Sequence, residues 1–235
     1  QRGSVRNRLL MLVALVVLVV RQPVAQEDRI DIFAKSEIQR QNIPGLSLAV
    51  VKEGQVIKTG GYGVANINLK APATPETIYK IASVSQQFIA SGIMLLVQEK
   101  QIGLDDSIRK YLKGSPDEWK PITIRHLLTH TSGLMRDAPG FNESKVQLDV
   151  ELIKTAYSLP LRFAPGDRWE FSNLGYFLLA EVMKKVSNRH WAEYLEEKVL
   201  KPAGMTMTYR RNTGVPLPTR AQGYSDGHRL LAAPD

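Results

Sequence analysis

The chain has 235 residues, 43% hydrophobic and 23% charged, a balance that excludes a disordered chain and fits one large or two small globular domains. Its formal charge of +8 suggests nucleic acid, but four of its 31 basic residues and none of its acids fall within 1–25; what remains is 27 against 23, with no basic cluster interleaved with aromatics, which sets nucleic acid aside. There is no Cys, so the fold rests on its core without disulfides, and a lipid-anchored lipoprotein is excluded.

At the N-terminus, Arg2, Arg6 and Arg8 precede an apolar run of twelve residues from Leu9 to Val20, then a short stretch ending at Ala25. As a helix this run would reach only about 18 Å, short of a bilayer core of about 30 Å. The pattern is that of a secretory signal peptide over residues 1–25, with Pro23 as its one irregular feature; an uncleaved membrane anchor is the alternative. Export to the periplasm or medium follows, with membrane contact only through this segment.

"EDRIDIFAKSEIQRQN" reads as an amphipathic helix with Ile30, Ile32, Phe33 and Ile38 as its apolar face, ended by Pro44-Gly45. "LSLAVV", the turn "KEGQ" and "VIKTGGYGVAN" read as a β-hairpin with Gly54 in the turn. From Ser83 the residues Phe88, Ile89, Ile93, Met94, Leu96 and Val97 predict a helix buried on nearly all sides. A turn and short helix follow in "KQIGLDDSIRKYL", then a helix in "ITIRHLLTHTSGL" stopped near Ser132-Gly133, and another over 146–158. "FAPGDRWEFSN" is a loop leading into a helix with Leu174, Phe177, Leu178 and Val182 inward. "HWAEYLEEKVL" is a last helix ending before Lys201-Pro202, and the tail starts a strand with a turn at Asp226-Gly227. A hairpin, many helices and a returning strand give an α+β domain with a helical insertion, whose sheet is unfinished.

Chemistry centres on "IASVSQQF", residues 81–88. Ser83 followed by Gln86 fits a capping box, with Ser83 capping the first turn and Gln86 reaching back to its N–H. On these residues alone a cap is the favoured reading and a nucleophile the alternative.

The wider chain adds "IYKIASVSQQF", "ITIRHLLTHTSGL", "PGDRWEFSNLGY" and "YLEEKVLKPAGMTMT", in that order. Together these motifs resemble the serine β-lactamase and penicillin-binding protein superfamily, in its class C-type branch of β-lactamases, D-alanyl-D-alanine peptidases and esterases. The resemblance covers most of residues 28–235 and implies a β-lactamase/transpeptidase-like fold: an antiparallel sheet, flanking helices and a helical insertion. It makes 26–235 an incomplete hydrolase domain, with C-terminal strands and a K-T-G or H-x-G motif expected beyond Asp235.

By this resemblance Ser83 stands where the S-x-x-K nucleophile stands, at a helix mouth whose N–H groups and partial positive charge favour a developing oxyanion. Gln86 stands in the lysine's place. Phe171-Ser172-Asn173 stands in the place of Y-x-N, so Phe171 replaces the tyrosine, and Asn173 would bind the substrate amide. Both replacements remove a titratable group: an amide does not take a proton near neutral pH, and phenylalanine has no polar atom. Of the neighbouring groups that could act as a base, Lys80 lies on the segment entering the helix and Tyr176 on a different helix face.

The implied substrates are small molecules or peptides: β-lactam, D-Ala-D-Ala peptide or ester. No cofactor and no metal are expected. His126 and His130 share an i, i+4 spacing, but neither a third ligand nor H-E-x-x-H accompanies them, so packing or capping is the expectation. "GYSDG" at 223–227 matches a nucleophile elbow by pattern but lacks the strand-to-helix context, and Asn142-Glu143-Ser144 is a sequon of little meaning in a bacterial host. The expectation is an impaired serine hydrolase homologue, with a non-catalytic module binding peptidoglycan peptides or a protein partner as its rival.

Overall fold

The computed structural model describes residues 28–140, 149–208, 220–225 and 229–230. The N-terminal leader over 1–25, the sequon at 142–144 and the turn at 226–227 lie outside them.

Helix α1, Arg29–Arg40, starts because the Asp28 carboxylate accepts the N–H groups of Ile30 and Asp31 at 2.8 and 2.9 Å. Its expected apolar face is not what holds it. Ile32 and Phe33 are 55% and 66% exposed, Ile30 and Ile38 are half-buried, and Ala34 alone is buried. The attachment to the sheet includes a polar cluster. Lys58 pairs with Asp28 at 2.7 Å and Asp31 at 2.8 Å, and the Tyr62 hydroxyl donates to Asp31.

Strands β1, Gly45–Lys52, and β2, Gln55–Asn66, form the expected antiparallel hairpin, from Lys52↔Gln55 to Gly45↔Gly63, with a bulge at Val50/Val51. Glu53 and Gly54 both take positive φ, 51° and 75°, the requirement of a tight two-residue turn matching strand twist. A two-residue β3, Ala71–Pro72, adds to the far side of β2. The short strands β4, Tyr224–Ser225, and β5, Arg229–Leu230, pair with each other. The tail also returns to the hairpin region: Gln222 donates to the Ala65 carbonyl, Ala221 to that of Ile78, and the Tyr224 hydroxyl accepts from Ile67 N–H.

Between these strands lie the helices: α2, Gln86–Gln98; α3, Ile124–Leu128; α4, Asp149–Tyr157; α5, Asn173–Ser187; and α6, Trp191–Leu195, continued by a π-helical turn over Glu196–Leu200. The core is helical. Ile93, Leu96, Ile108, Trp119, Ile122, Leu127, Leu178, Leu179 and Met183 are all fully buried. Helix α2 crosses α5 and α6 closely at Gly92, where a Cβ would lie 2.6 Å from both Met183 Cε and Leu195 Cδ2.

Two further expectations need correction. Helix α2 is not enclosed on nearly all sides: Gln87, Ser91, Met94 and Gln98 form an exposed stripe at helical spacing, part of it lining an open groove beside Lys198, Val199 and Ala203. Nor does the helix opening at Thr123 run to Ser132; α3 ends at Leu128, and the chain turns through His130 and Gly133 with φ of 59° and 77°.

The segment joining α2 to α3 is tied by Asp106, which accepts from Gly103 N–H and Lys110 Nζ at 2.8 Å each and from the Tyr111 hydroxyl. These donors, Lys110 foremost, hold its pKa down to about 2. The folded value lies below the unfolded one, so the stabilisation is complete above about pH 4 and is lost as pH falls toward 2. Urea denaturation between pH 5 and 2 should show Asp106→Asn with a flatter acid dependence than the parent. In the core, Leu178→Ala should cost about 2–5 kcal/mol by the same measurement.

Candidate active site

Ser83 lies in a 3₁₀ turn, Ala82–Ser85, that runs without a break into α2, since Ser85 has helical dihedrals of −60° and −22°. The residue before it is strained: Ala82 sits at φ 44°, a left-handed conformation that costs a non-glycine residue on the order of 1–3 kcal/mol. Ser83 is exposed, and its hydroxyl makes no hydrogen bond among the described residues. The capping box is absent. No side chain caps this turn or α2, and Gln86 does not reach back.

Gln86 reaches across the cleft. Its Nε2 donates to Asn173 Oδ1 at 3.1 Å, and Asn173 Nδ2 donates to Asp137 Oδ1 at 2.8 Å. Two positions 87 residues apart in sequence thus meet in one half-buried network. The donors run in one direction and end on a carboxylate, which sets the orientation of both amides. Arg136 Nε lies 3.4 Å from the other oxygen of Asp137.

Asn173 is held at the first position of α5 from several sides. Ser172 caps the helix: its buried Oγ accepts Gly175 N–H at 3.0 Å and donates to the Met135 carbonyl at 2.7 Å. The Arg136 carbonyl accepts the N–H groups of Asn173 and Leu174 at 2.8 and 3.1 Å. Phe171 shows a hydrocarbon ring to its surroundings, with the His130 ring centroid 4.8 Å away and the Arg136 guanidinium 5.0 Å away.

Of the neighbouring candidate bases, Tyr176 is engaged elsewhere. The Tyr176 hydroxyl donates to the Leu128 carbonyl at 3.0 Å, and burial raises its pKa. Lys80 is exposed on the entering segment. The two histidines turn their Nδ1 atoms to different backbone donors: His126 to Thr123 N–H at 3.3 Å, within the cap of α3, and His130 to Ser172 N–H at 3.2 Å. Among the described residues no group of three or more His, Cys, Asp or Glu could hold a metal.

Sequence reasoning missed Asp137, Arg136 and Ser172. Ser172 carried a legible sign, a serine just ahead of an apolar helical stretch. Asp137 carried none, because its partner is 36 residues away.

The beta-lactamase family model matches residues 20–235. The Protein flp of Staphylococcus aureus (strain COL) is 30% identical over 204 residues, 84% of this chain and 41% of that protein. Among solved structures, the octameric penicillin-binding protein homologue from Pyrococcus abyssi is 31% identical with a TM-score of 0.72, over 87% of this chain and 50% of that one. A class C beta-lactamase gives 26% identity and a TM-score of 0.74, over 86% and 55%. The chain thus spans about two-fifths of the curated relative and about half of each structure.

Removing Asp137 would strip Asn173 of a charge-assisted partner. Asp137→Ala is expected to lower unfolding free energy by about 1–3 kcal/mol in urea titrations. Asp137→Asn, which retains an acceptor, should be milder in the same measurement.

Proposed function

The chain belongs to the beta-lactamase family, and from that premise we propose that it is a serine hydrolase homologue whose acyl-transfer step at Ser83 is severely weakened. One observation carries this reading: the side chain in the base's position is an amide already committed to Asn173, and no basic side chain among the described residues hydrogen-bonds the Ser83 hydroxyl. In the first step of such a reaction the serine oxygen bonds the substrate carbonyl carbon while its proton passes to a base. Then the leaving group takes a proton and departs, and water frees the acyl group.

Gln86 can orient a hydroxyl or a substrate amide, but it does not store that proton. Phe171 fills a tyrosine-shaped space and relays nothing. By analogy with serine triads, losing one proton-handling member costs about 10⁴- to 10⁶-fold in turnover, and losing a second in the same unit adds little.

Substrates of the class are β-lactams, D-Ala-terminated peptides or esters. The helix mouth behind Ser83 and the Nδ2 hydrogen of Asn173 that is not given to Asp137 suit a polarised carbonyl and its adjoining amide. Export through the basic and apolar leader, Arg2 to Ala25, belongs to the same reading and would bring the chain to such substrates.

A second reading, a binding module without turnover, is favoured by the network itself. Gln86, Asn173 and Asp137 are fully connected, so the cleft keeps a fixed polar wall after its acid–base groups are gone. Calorimetry with a D-Ala-D-Ala peptide separates the two, since binding without hydrolysis selects the module.

For the hydrolase reading, a chromogenic cephalosporin or short-chain ester should be turned over far below ordinary enzyme rates. The double variant Gln86→Lys with Phe171→Tyr should recover partial acylation, seen as a mass increase on the protein that Ser83→Ala abolishes. Ordinary rates in the parent chain, lost in Ser83→Ala, would sink the impairment claim.

A further inference from the structure

His130 has a place in this cleft that its sequence context does not announce. It sits at φ 59°, a left-handed conformation uncommon for a side chain of its size. Its backbone carbonyl accepts Glu170 N–H at 2.9 Å, and its Nδ1 accepts Ser172 N–H at 3.2 Å. The residue therefore grips the chain on both sides of Phe171. Its ring lies 4.8 Å from that of Phe171 and 5.0 Å from that of Tyr176, tilted against both, with Trp169 edge-on at 6.0 Å.

We propose that His130 is the positioning residue of the cleft: as a neutral ring whose Nδ1 is a bare acceptor, it fixes Phe171 and Ser172, and through them aims Asn173 at Gln86. The chemistry is specific to one protonation state. Neutral imidazole can accept at Nδ1 and carry its hydrogen on Nε2, whereas the cation is a donor at both nitrogens. A protonated His130 would present N–H to the N–H of Ser172. That collision of donors breaks the clamp one residue before Asn173.

The surroundings favour the neutral state. From the 160s loop comes Glu170, whose carboxylate is paired with Arg162 at 2.9 Å and lies 4.0 Å from Arg168. From α5 comes Tyr176, whose hydroxyl is bound to Leu128. From the segment after Gly133 comes Arg136, a cation at the same Phe171 ring. No carboxylate among the described residues pairs with His130, and burial alone holds its pKa below the ordinary histidine value. A histidine depressed in the folded state favours folding fully above about pH 6.5 and loses that contribution as pH falls below it.

The consequence for ligands rests on the reading of the cleft given above, but the clamp can be tested without a ligand. ¹H–¹⁵N spectra of the protein from pH 7.5 to 4.5 would follow the His130 imidazole and the side-chain amides of Asn173 and Gln86. In the parent chain the two amides should shift together, with a single midpoint below pH 6.5 matching that of the His130 ring. His130→Asn tolerates the left-handed backbone and keeps an acceptor on the atom that replaces Nδ1. It should leave the amides at their neutral positions throughout the range. His130→Phe keeps a ring without an acceptor and should show the acid-form positions even at pH 7.5.

A part in packing alone would move none of these signals with pH. Amides that ignore the His130 titration, or that titrate unchanged in His130→Asn, overturn the proposal. If His130→Phe does not fold, the other two proteins still decide. Because no substrate enters the experiment, failure here leaves the hydrolase reading standing, and failure of that reading leaves the clamp.

Discussion

One amide–amide hydrogen bond, Gln86 to Asn173, joins the opening turn of α2 to the opening turn of α5. Each end of that bond is positioned by an independent device. Gln86 is carried by a helix that is locked, nearly two turns on, at Gly92 against Met183 and Leu195. Asn173 is carried by a helix capped at Ser172 and clamped by the 130–137 loop through His130, Met135, Arg136 and Asp137. The helical core is therefore the frame of the cleft. The hairpin contributes little to that frame directly: through Ser47 it holds the Thr74 carbonyl and the Tyr79 hydroxyl, on the segment leading to Ser83.

What the sequence disclosed follows from the range of the interactions involved. The β1–β2 hairpin was legible because its turn is a local matter, settled by Gly54 and the alternation on either side. Helix α5 was legible because Leu174, Leu178 and Val182 repeat along one buried face. The end of α3 was not. Nothing in "LLTHTSGL" shows that His130 turns left-handed; the turn is imposed by Glu170 and Ser172, some forty residues on, which bind the same residue from both sides. The apolar residues of α1 misled for the opposite reason. Ile32 and Phe33 have the spacing of a buried face, but the sheet beside them is small and leaves that face uncovered.

The same limit governed the site. Motif order placed Ser83, Gln86, Phe171 and Asn173 by resemblance, and the geometry brings Gln86 and Asn173 into contact. The local reading of Ser83 and Gln86 as a capping box failed because a glutamine at a helix start has two possible partners. The cross-cleft amide won over its own backbone, and it did so because Asn173 arrives already oriented by Asp137. A carboxylate accepting the amide N–H leaves the Asn173 carbonyl turned toward α2, where only a donor is welcome. Lysine and glutamine both supply one, so either side chain at 86 suits the contact.

The serine turn and the polar wall thus have separable structural causes in this cleft. The Ala82 turn, with strain on the order of 1–3 kcal/mol, presents Ser83 at the head of α2. The polar wall is held by caps, carbonyls and a neutral histidine. None of these elements depends on a lysine at 86 or a tyrosine at 171. The cleft is therefore formed with an amide at 86 and a hydrocarbon ring at 171, and the head of α2 and Asn173 face each other across it.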